Sequence, residues 1–492
     1  MKYTINDFHK KAIEDYQLQN DWPQEVLTET KIIDSKILKD DSYIDLPFVT
    51  IDGEDAKDFD DAIFCELIPD GFNLKVAIAD VSHYVKENSA LDDEAMKRAT
   101  STYLPRKVIP MLPEKLSNEV CSLQPNRYRR VLYADILLDK DGHVTSYEFK
   151  RAMIKSAARL TYNEVESYLK NGFQKLTGDF KQSLETSYLL FQKLLDLRSY
   201  RGALELEISE PILKLNSEGN IKSLFSKKRM LAHQLIEEFM LVANVCAANI
   251  LRKNFSNSVF RNHDYPESLK IDRLSQSLKR RGLNWNGSPE DVNNLPILMD
   301  RLKNRPDKST LHIMVLQSMQ RATYESICKG HFGLKFEEYT HFTSPIRRYP
   351  DLMVHRLLKS LIDKRAESLS NDALEDWDEL LEHCSIKERD SEFASKQVTQ
   401  SLICSHCKQF KGKSFKGYIS GVKDFGLFVD IPELFTTGML HVSELPSDRY
   451  SFNARSQSLD GRRRGNKFIH GDKIEVYIGE IFELEGKISL YY

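Results

Sequence analysis

TIDGEDAKDFDDAIF, residues 50–64, places six acids in the ten positions 52–61 and then runs directly into apolar residues. The flanking runs IDLPFVTI (44–51) and AIFCELI (62–68) read as short buried strands, so the acids occupy the connection between two core strands. Connections of this kind commonly carry function. Carboxylates crowded this closely raise one another's pKa values, and burial makes ionisation costlier still, so a shared cation is the natural way to keep them charged. Hard oxygen donors point to Mg2+ or Mn2+ rather than zinc. A helix-loop-helix calcium loop is excluded, because frames starting at Asp52, Asp55 or Asp58 lack the required ligand pattern and the glycine at its sixth position. The bland alternative is a solvated acidic loop.

The chain of 492 residues has room for two or three domains, and its 41% apolar and 29% charged content is that of a globular protein. Its start, MKYTINDFHKKAIEDY, has no apolar signal core, and no uninterrupted hydrophobic stretch reaches bilayer length; a cytoplasmic protein off the membrane is expected. Seven cysteines, an odd number over a long chain, do not suggest a disulfide framework. His383 and Cys384 with Cys404 and Cys407 form a candidate zinc group, although the spacing fits no standard template. A net charge of −3 gives no global attraction to polyanions. Nucleic-acid binding would need local patches such as SKKR (226–229), KRR (279–281) and GRRRG (461–465), each of which, taken singly, suits a solvated loop.

Residues 1–45 read as a short polar lead-in with one early helix, broken at NDWPQEV. Residues 46–405 mix strands and helices without a repeat, giving an α+β class with a mixed α/β domain. LKVAIADVSHYV (74–85) reads as a buried strand leading into polar residues, and HQLIEEFMLVANVCAANILRKN (233–254) as a long helix carrying Glu237 and Glu238 among its apolar positions. Residues 410–492 change to short alternating strands with glycine turns, which predicts a small five-stranded barrel of the oligonucleotide-binding (OB-fold) type. Phe415, Tyr418, Phe425, Phe428 and His441 are candidates for stacking on bases, though some must fill the barrel. In YTHFTSPIRRYPDLMVHRLLKSLI (339–362) a helix begins at Ser344–Pro345 or, because of Pro350, near Tyr349. Either start puts Arg347 and Arg348 near a helix N-terminus, a setting that favours phosphate.

TIDGEDAKDFDDA, VAIADVSHYV, STYLPRKVIPMLPEKLSNEVCSL, LIEEFMLVANVCAA and HFTSPIRRYPDLMVHRLL, in that order, resemble the ribonuclease II and ribonuclease R (RNB) family of exoribonucleases, and more closely its ribonuclease R branch. The last 80 or so residues resemble the S1 RNA-binding domain that follows in that family. The resemblance implies Mg2+- or Mn2+-dependent, 3′→5′ hydrolysis of single-stranded RNA to nucleoside 5′-monophosphates by a monomer. Carried over by motif, it implies metal binding by Asp52, Asp58, Asp60 and Asp61, with Asp60 and Asp61 catalytic and one of them able to orient water. It implies a phosphate grip by Arg347, base stacking by Tyr103, and contacts to the terminal nucleotide by Glu237 and Glu388. Three departures stand out. No cold-shock domains precede the catalytic region, Leu206 in RGALELEISE occupies the place of a stacking phenylalanine, and the chain ends at SLYY without a basic tail. Two other readings keep part of this picture: an endoribonuclease using the same metal site, and a catalytically inactive RNA-binding regulator.

Overall fold

The computed structural model describes residues 3–34, 42–206, 211–226, 229–285, 294–305, 308–364, 377–453, 456 and 458–492. It opens with two helices, α1 (Ile5–Asp15) and α2 (Gln24–Ile32), where the sequence suggested one. The break expected at NDWPQEV lies in the non-helical residues 16–23 between them, and Pro23 closes it as the N-cap of α2, because its fixed φ suits a helix start and the missing N–H costs nothing there. Nor is this segment a detached lead-in. Phe8 and Ala12 are buried against Leu104, Ile109, Ala394, Val398 and Leu402, and the Arg98 guanidinium lies 3.5 Å over the Trp22 ring.

The larger unit is built on a seven-stranded mixed sheet of β1 (Tyr43–Ile44), β2 (Val49–Asp52), β3 (Asp61–Ile68), β4 (Gly71–Ala79), β7 (Tyr128–Asp139), β8 (Val144–Lys155) and β9 (Ala158–Thr161), in the order β1-β8-β7-β4-β3-β2-β9. Between β4 and β7 lie α3 (Val81–Tyr84), α4 (Ala90–Arg98) and the hairpin β5 (Thr102–Leu104) and β6 (Lys107–Ile109). Central β4 is buried along almost its whole length, which is why its sequence is a near-continuous apolar run rather than an alternating one.

Helices α5 (Tyr162–Asn171) and α6 (Lys181–Arg201), the hairpin β10 (Pro211–Leu215) and β11 (Ile221–Ser226), and α7 (Leu231–Asn254) follow. Ala232, Leu235, Phe239, Ala243, Ala247 and Leu251 recur at helical spacing on α7 and are fully buried. By length and composition α7 could cross a bilayer, contrary to the sequence expectation, but it is mostly buried within the domain. Strands β12 (Phe260–Asn262) and β13 (Thr323–Glu325) pair and bracket a three-helix module, α8 (Ser268–Arg280), α9 (Leu295–Leu302) and α10 (Lys308–Ser318). This module has its own core, with Leu206 packed at its edge. Next come α11 (Tyr349–Ile362) and the 31-residue α12 (Trp377–Cys407).

The C-terminal strands β14 (Ser414–Lys423), β15 (Gly426–Ile431), β16 (Thr436–His441), β20 (Lys473–Phe482) and β21 (Lys487–Tyr491) close a five-stranded barrel in the order β14-β15-β16-β21-β20. A separate three-stranded meander, β17 (Tyr450–Asn453), β18 (Ser458–Gly461) and β19 (Lys467–Ile469), is inserted before β20. Gly426 is required where β15 meets β16, since a Cβ there would lie 2.4 Å from the Leu440 carbonyl oxygen.

The zinc group is overturned. His383 and Cys404 lie on one continuous helix, about 30 Å apart along its axis at 1.5 Å per residue. Cys404 and Cys407 instead fill the barrel core, and His383 Nε2 is bonded to the Met96 and Lys97 carbonyls. The basic runs also have local roles. Arg280 donates to the Ser456 carbonyl and Arg281 to that of Gly471, docking α8 on the barrel unit. The backbone N–H groups of Arg463 and Arg464 are gathered by Asp448. Within SKKR, residues 227 and 228 lie outside the described residues.

Candidate active site

The acidic connection spans the gap between β2 and β3 and is held in a bent path by its neighbours. The Ala79 N–H donates to the Asp60 carbonyl and the Leu123 N–H to that of Phe59. Ser122 Oγ donates to the Lys57 carbonyl and accepts from the Phe59 N–H. Arg159 of β9 reaches the carbonyls of Gly53 and Glu54. Because consecutive residues diverge on such a path, Asp60 and Asp61 face different partners.

Asp60 is buried, and its Oδ1 accepts the Ile346 N–H at 2.9 Å while Oδ2 lies 3.5 Å from Arg347 Nε. Ile346 and Arg347 belong to the turn before α11, which begins at Tyr349 with Pro350 in its first turn; Pro350 rather than Pro345 therefore sets the helix start. That turn is fixed by Asp351, whose Oδ1 accepts from the Ser344 N–H and from Arg348 Nη2, each at 2.8 Å. Arg348 is thus held in an ion pair, whereas Arg347 remains 45% exposed and free to meet a ligand. Ser344 Oγ accepts from Arg347 Nη2 at 3.1 Å and orients the guanidinium. The Arg347 carbonyl is pinned by the Ser101 N–H and Thr100 Oγ1.

Burial pushes Asp52 up to about 7, with Asp60 and Asp58 adding to it, and pushes Asp61 up to about 8, with Asp52 adding to it. Burial also drives Asp60 well above the usual carboxylate range, against the pull of Arg347 and the Ile346 N–H. The carboxylates therefore resist ionising unless a cation joins them. Among the described residues no three or more His, Cys, Asp or Glu side chains form a ready metal cage.

Asp58 Oδ2 accepts from the Tyr103 hydroxyl at 2.8 Å. The ring of Tyr103 is 40% exposed and lines a cleft of about 1070 Å³ that runs between α1, α12 and the barrel. Tyr162 was not singled out from the sequence. The β2–β9 register sets Asp52 opposite Thr161, and Thr161 with Glu164 makes the capping box that starts α5. That T-x-x-E signal after a strand places Tyr162 beside Asp52 and Asp61, whose charges, after burial, raise its phenol.

The other candidates have arginine or aromatic partners of their own. Glu237 accepts from Arg198 and Arg229 at 2.7 and 2.9 Å, and Glu388 makes a two-pronged pair with Arg261 at 2.7 and 3.1 Å. Phe425, exposed on the β14–β15 turn, meets Phe428 edge-on with centroids 6.2 Å apart, and His441 lies opposite Gly426 on β16. Phe415 packs on Phe410, and Lys473 sits over Tyr418.

Profiles of known families match this arrangement: the RNB domain over residues 41–364 and the S1 RNA binding domain over residues 408–492. The chain belongs to the RNB family. Ribonuclease R of Escherichia coli (strain K12) is 38% identical over 97% of this chain and 61% of its own length. Ribonuclease R of Thermotoga maritima is 37% identical over 95% of this chain and 68% of its own length. The solved structure of Mycoplasma genitalium RNase R in complex with ribose methylated single-stranded RNA superposes with a TM-score of 0.93 at 28% identity, covering 98% of this chain and 77% of that one. Yeast Ssd1, described as a pseudonuclease, shares the fold with a TM-score of 0.72 at 20% identity, covering 92% and 58%. This RNB chain spans about three fifths of the length of several of its ribonuclease R relatives.

Proposed function

We propose that this RNB chain is a metal-dependent 3′→5′ exoribonuclease that hydrolyses single-stranded RNA to nucleoside 5′-monophosphates. One observation carries the reading: a half-exposed arginine, Arg347, and a buried aspartate, Asp60, from distant segments of the chain meet beside two further aspartates with raised pKa values. The polarity and the product come with the family resemblance.

The donor set is all oxygen and costly to charge, which fits Mg2+ or Mn2+; Mg2+ in particular takes one or two carboxylates and completes its shell with water and phosphate oxygens, so no closed protein cage is needed. Asp52, Asp58, Asp60 and Asp61 would hold it. When bound, the ion would polarise the scissile phosphate and lower the pKa of the attacking water. The chain's own residues do the positioning. Asp60 is kept in place by the Ile346 N–H, Arg347 offers its guanidinium to the phosphate from a turn locked by Asp351, and Tyr103, tethered through Asp58, exposes a ring face on which a base can stack.

The test uses 5′-labelled, 3′-labelled and circular single-stranded RNA incubated with the protein and Mg2+. The expected result is a ladder shrinking from the 3′ end with circles intact. Cut circles would indicate internal cleavage, and binding without products would indicate an inactive RNA-binding protein. Asp60→Asn should retain RNA binding and lose turnover, because an amide does not match a carboxylate as a metal ligand; wild-type digestion by this variant would remove Asp60 from the mechanism.

A further inference from the structure

Away from the aspartates, a crevice of about 290 Å³ lies at the seam between the three-helix module and the barrel. Lys270, Arg273 and Ser277 of α8 and Gln317 of α10 line one side, and Ser420 and Lys423 of β14 the other. No carboxylate is among its lining residues. Clefts elsewhere neutralise their cations: Lys11 and Lys396 face Asp15 and Glu392 in the large cleft beside Tyr103, and Arg356 and Lys359 are bonded to Asp92 and Asp80 beside α11. Here Arg273 Nε is buried without a hydrogen-bond partner. Lys423 is exposed at the end of its strand, and Lys270 is only loosely committed, 3.6 Å from Glu267 and 3.4 Å from Gln320. A buried, unsatisfied guanidinium nitrogen is costly. An anion entering the crevice would satisfy it and bridge cations from two structural units.

We propose that this crevice is a phosphodiester-binding subsite for the RNA strand, contacted by Arg273 from the catalytic unit and Lys423 from the barrel. Lys423 stands two residues before Phe425, so one nucleotide could set its phosphate in the crevice and its base on the exposed Phe425 ring. Arg280 and Arg281, bonded to carbonyls across the seam, hold its two walls together.

This inference rests on the RNA-degrading reading, and the experiment separates the two. Binding of fluorescent poly(A) is measured by anisotropy against salt in EDTA for the full chain, Arg273→Gln, Lys423→Gln and the double variant, with thermal unfolding and Mg2+-dependent cleavage of a short oligoadenylate measured alongside. Each lost phosphate contact should reduce the slope of log K against log salt by about 0.7, with oligoadenylate cleavage unchanged. Lys423 is on the surface, so its variant reports even if Arg273→Gln unfolds the protein. Unchanged slopes would overturn the subsite. Thermal protection by inorganic phosphate that the variants abolish without altering poly(A) binding would overturn the RNA assignment in favour of a free-anion site. A wild-type chain that neither binds nor digests RNA would instead defeat the underlying reading.

Discussion

Asp60 is where the chemistry concentrates: it is buried, bonded to the Ile346 N–H, and paired with Arg347 from the turn before α11. Removing Arg347 as Arg347→Ala should cost about 2–4 kcal/mol of transition-state stabilisation, by analogy with other electrostatic groups. Ser344 acts through it, since its Oγ accepts from the guanidinium. Ser344→Ala should lower kcat/KM by roughly fivefold, the worth of one hydrogen bond of about 1 kcal/mol. In the Arg347→Ala background the same change should do nothing further; an equal loss in both backgrounds would show that Ser344 works independently. The acids were legible because they crowd into one short stretch. The partnership of Asp60 with Arg347 was not, because no local spacing encodes a contact between segments so far apart in the chain, and only the resemblance put both residues in one site. Glu237 and Glu388 were readable as candidates, but no local pattern marks the arginines that engage them.

At the level of elements, α11 and the turn before it form the platform that delivers Arg347, and His355 is part of that platform. Its Nε2 bonds to the Phe342 carbonyl, and the residue is fully buried. Burial holds its pKa down to about 4, from 6.5 in its unperturbed state. The unfolded chain therefore binds an extra proton below about pH 6.5, so this contribution is fully present above that pH and is lost as the pH falls towards 4, at about 1.4 kcal/mol per pH unit. His355→Gln keeps a donor for Phe342 but cannot titrate. Denaturant unfolding between pH 4.5 and 6, roughly the window set by the two pKa values, should give a slope flatter by about that amount; an unchanged slope would mean that His355 is already protonated in the fold. Long elements such as α7 and β4 were legible from periodicity and apolar runs. The starts at proline were not: α2, which Pro23 opens after the break, went unread, and of the two starts left open near Ser344 and Tyr349, Pro350 favours the second.

Across the whole molecule, α12 is the connection that makes two domains one body. Leu381 and Cys384 near its start belong to the core around the seven-stranded sheet, and Ile403, Cys404 and Cys407 near its end to the barrel core. The same cysteines that were candidate zinc ligands are core residues, a role that becomes visible only when one helix is known to span both units. Ile403→Ala, at 1% exposure, should cost about 2–5 kcal/mol. In calorimetry the protein should melt in a single transition that shifts as a whole, whereas two transitions, of which only one moves, would show that the helix does not couple the units. The barrel's five strands were legible from alternation and glycine turns; the inserted meander was not separated from them, because its strands carry the same local pattern.

The claim on which the whole account depends is that the aspartates between β2 and β3 gather divalent ions around an RNA phosphate. The most direct measurement is anomalous diffraction from crystals of the protein grown with Mn2+ and an RNA whose scissile linkages are phosphorothioates. The account predicts anomalous density within bonding distance of Asp52, Asp60 or Asp61 and of the RNA phosphate, with Arg347 on that same phosphate. RNA bound elsewhere, with these carboxylates turned to solvent and no density among them, would contradict it.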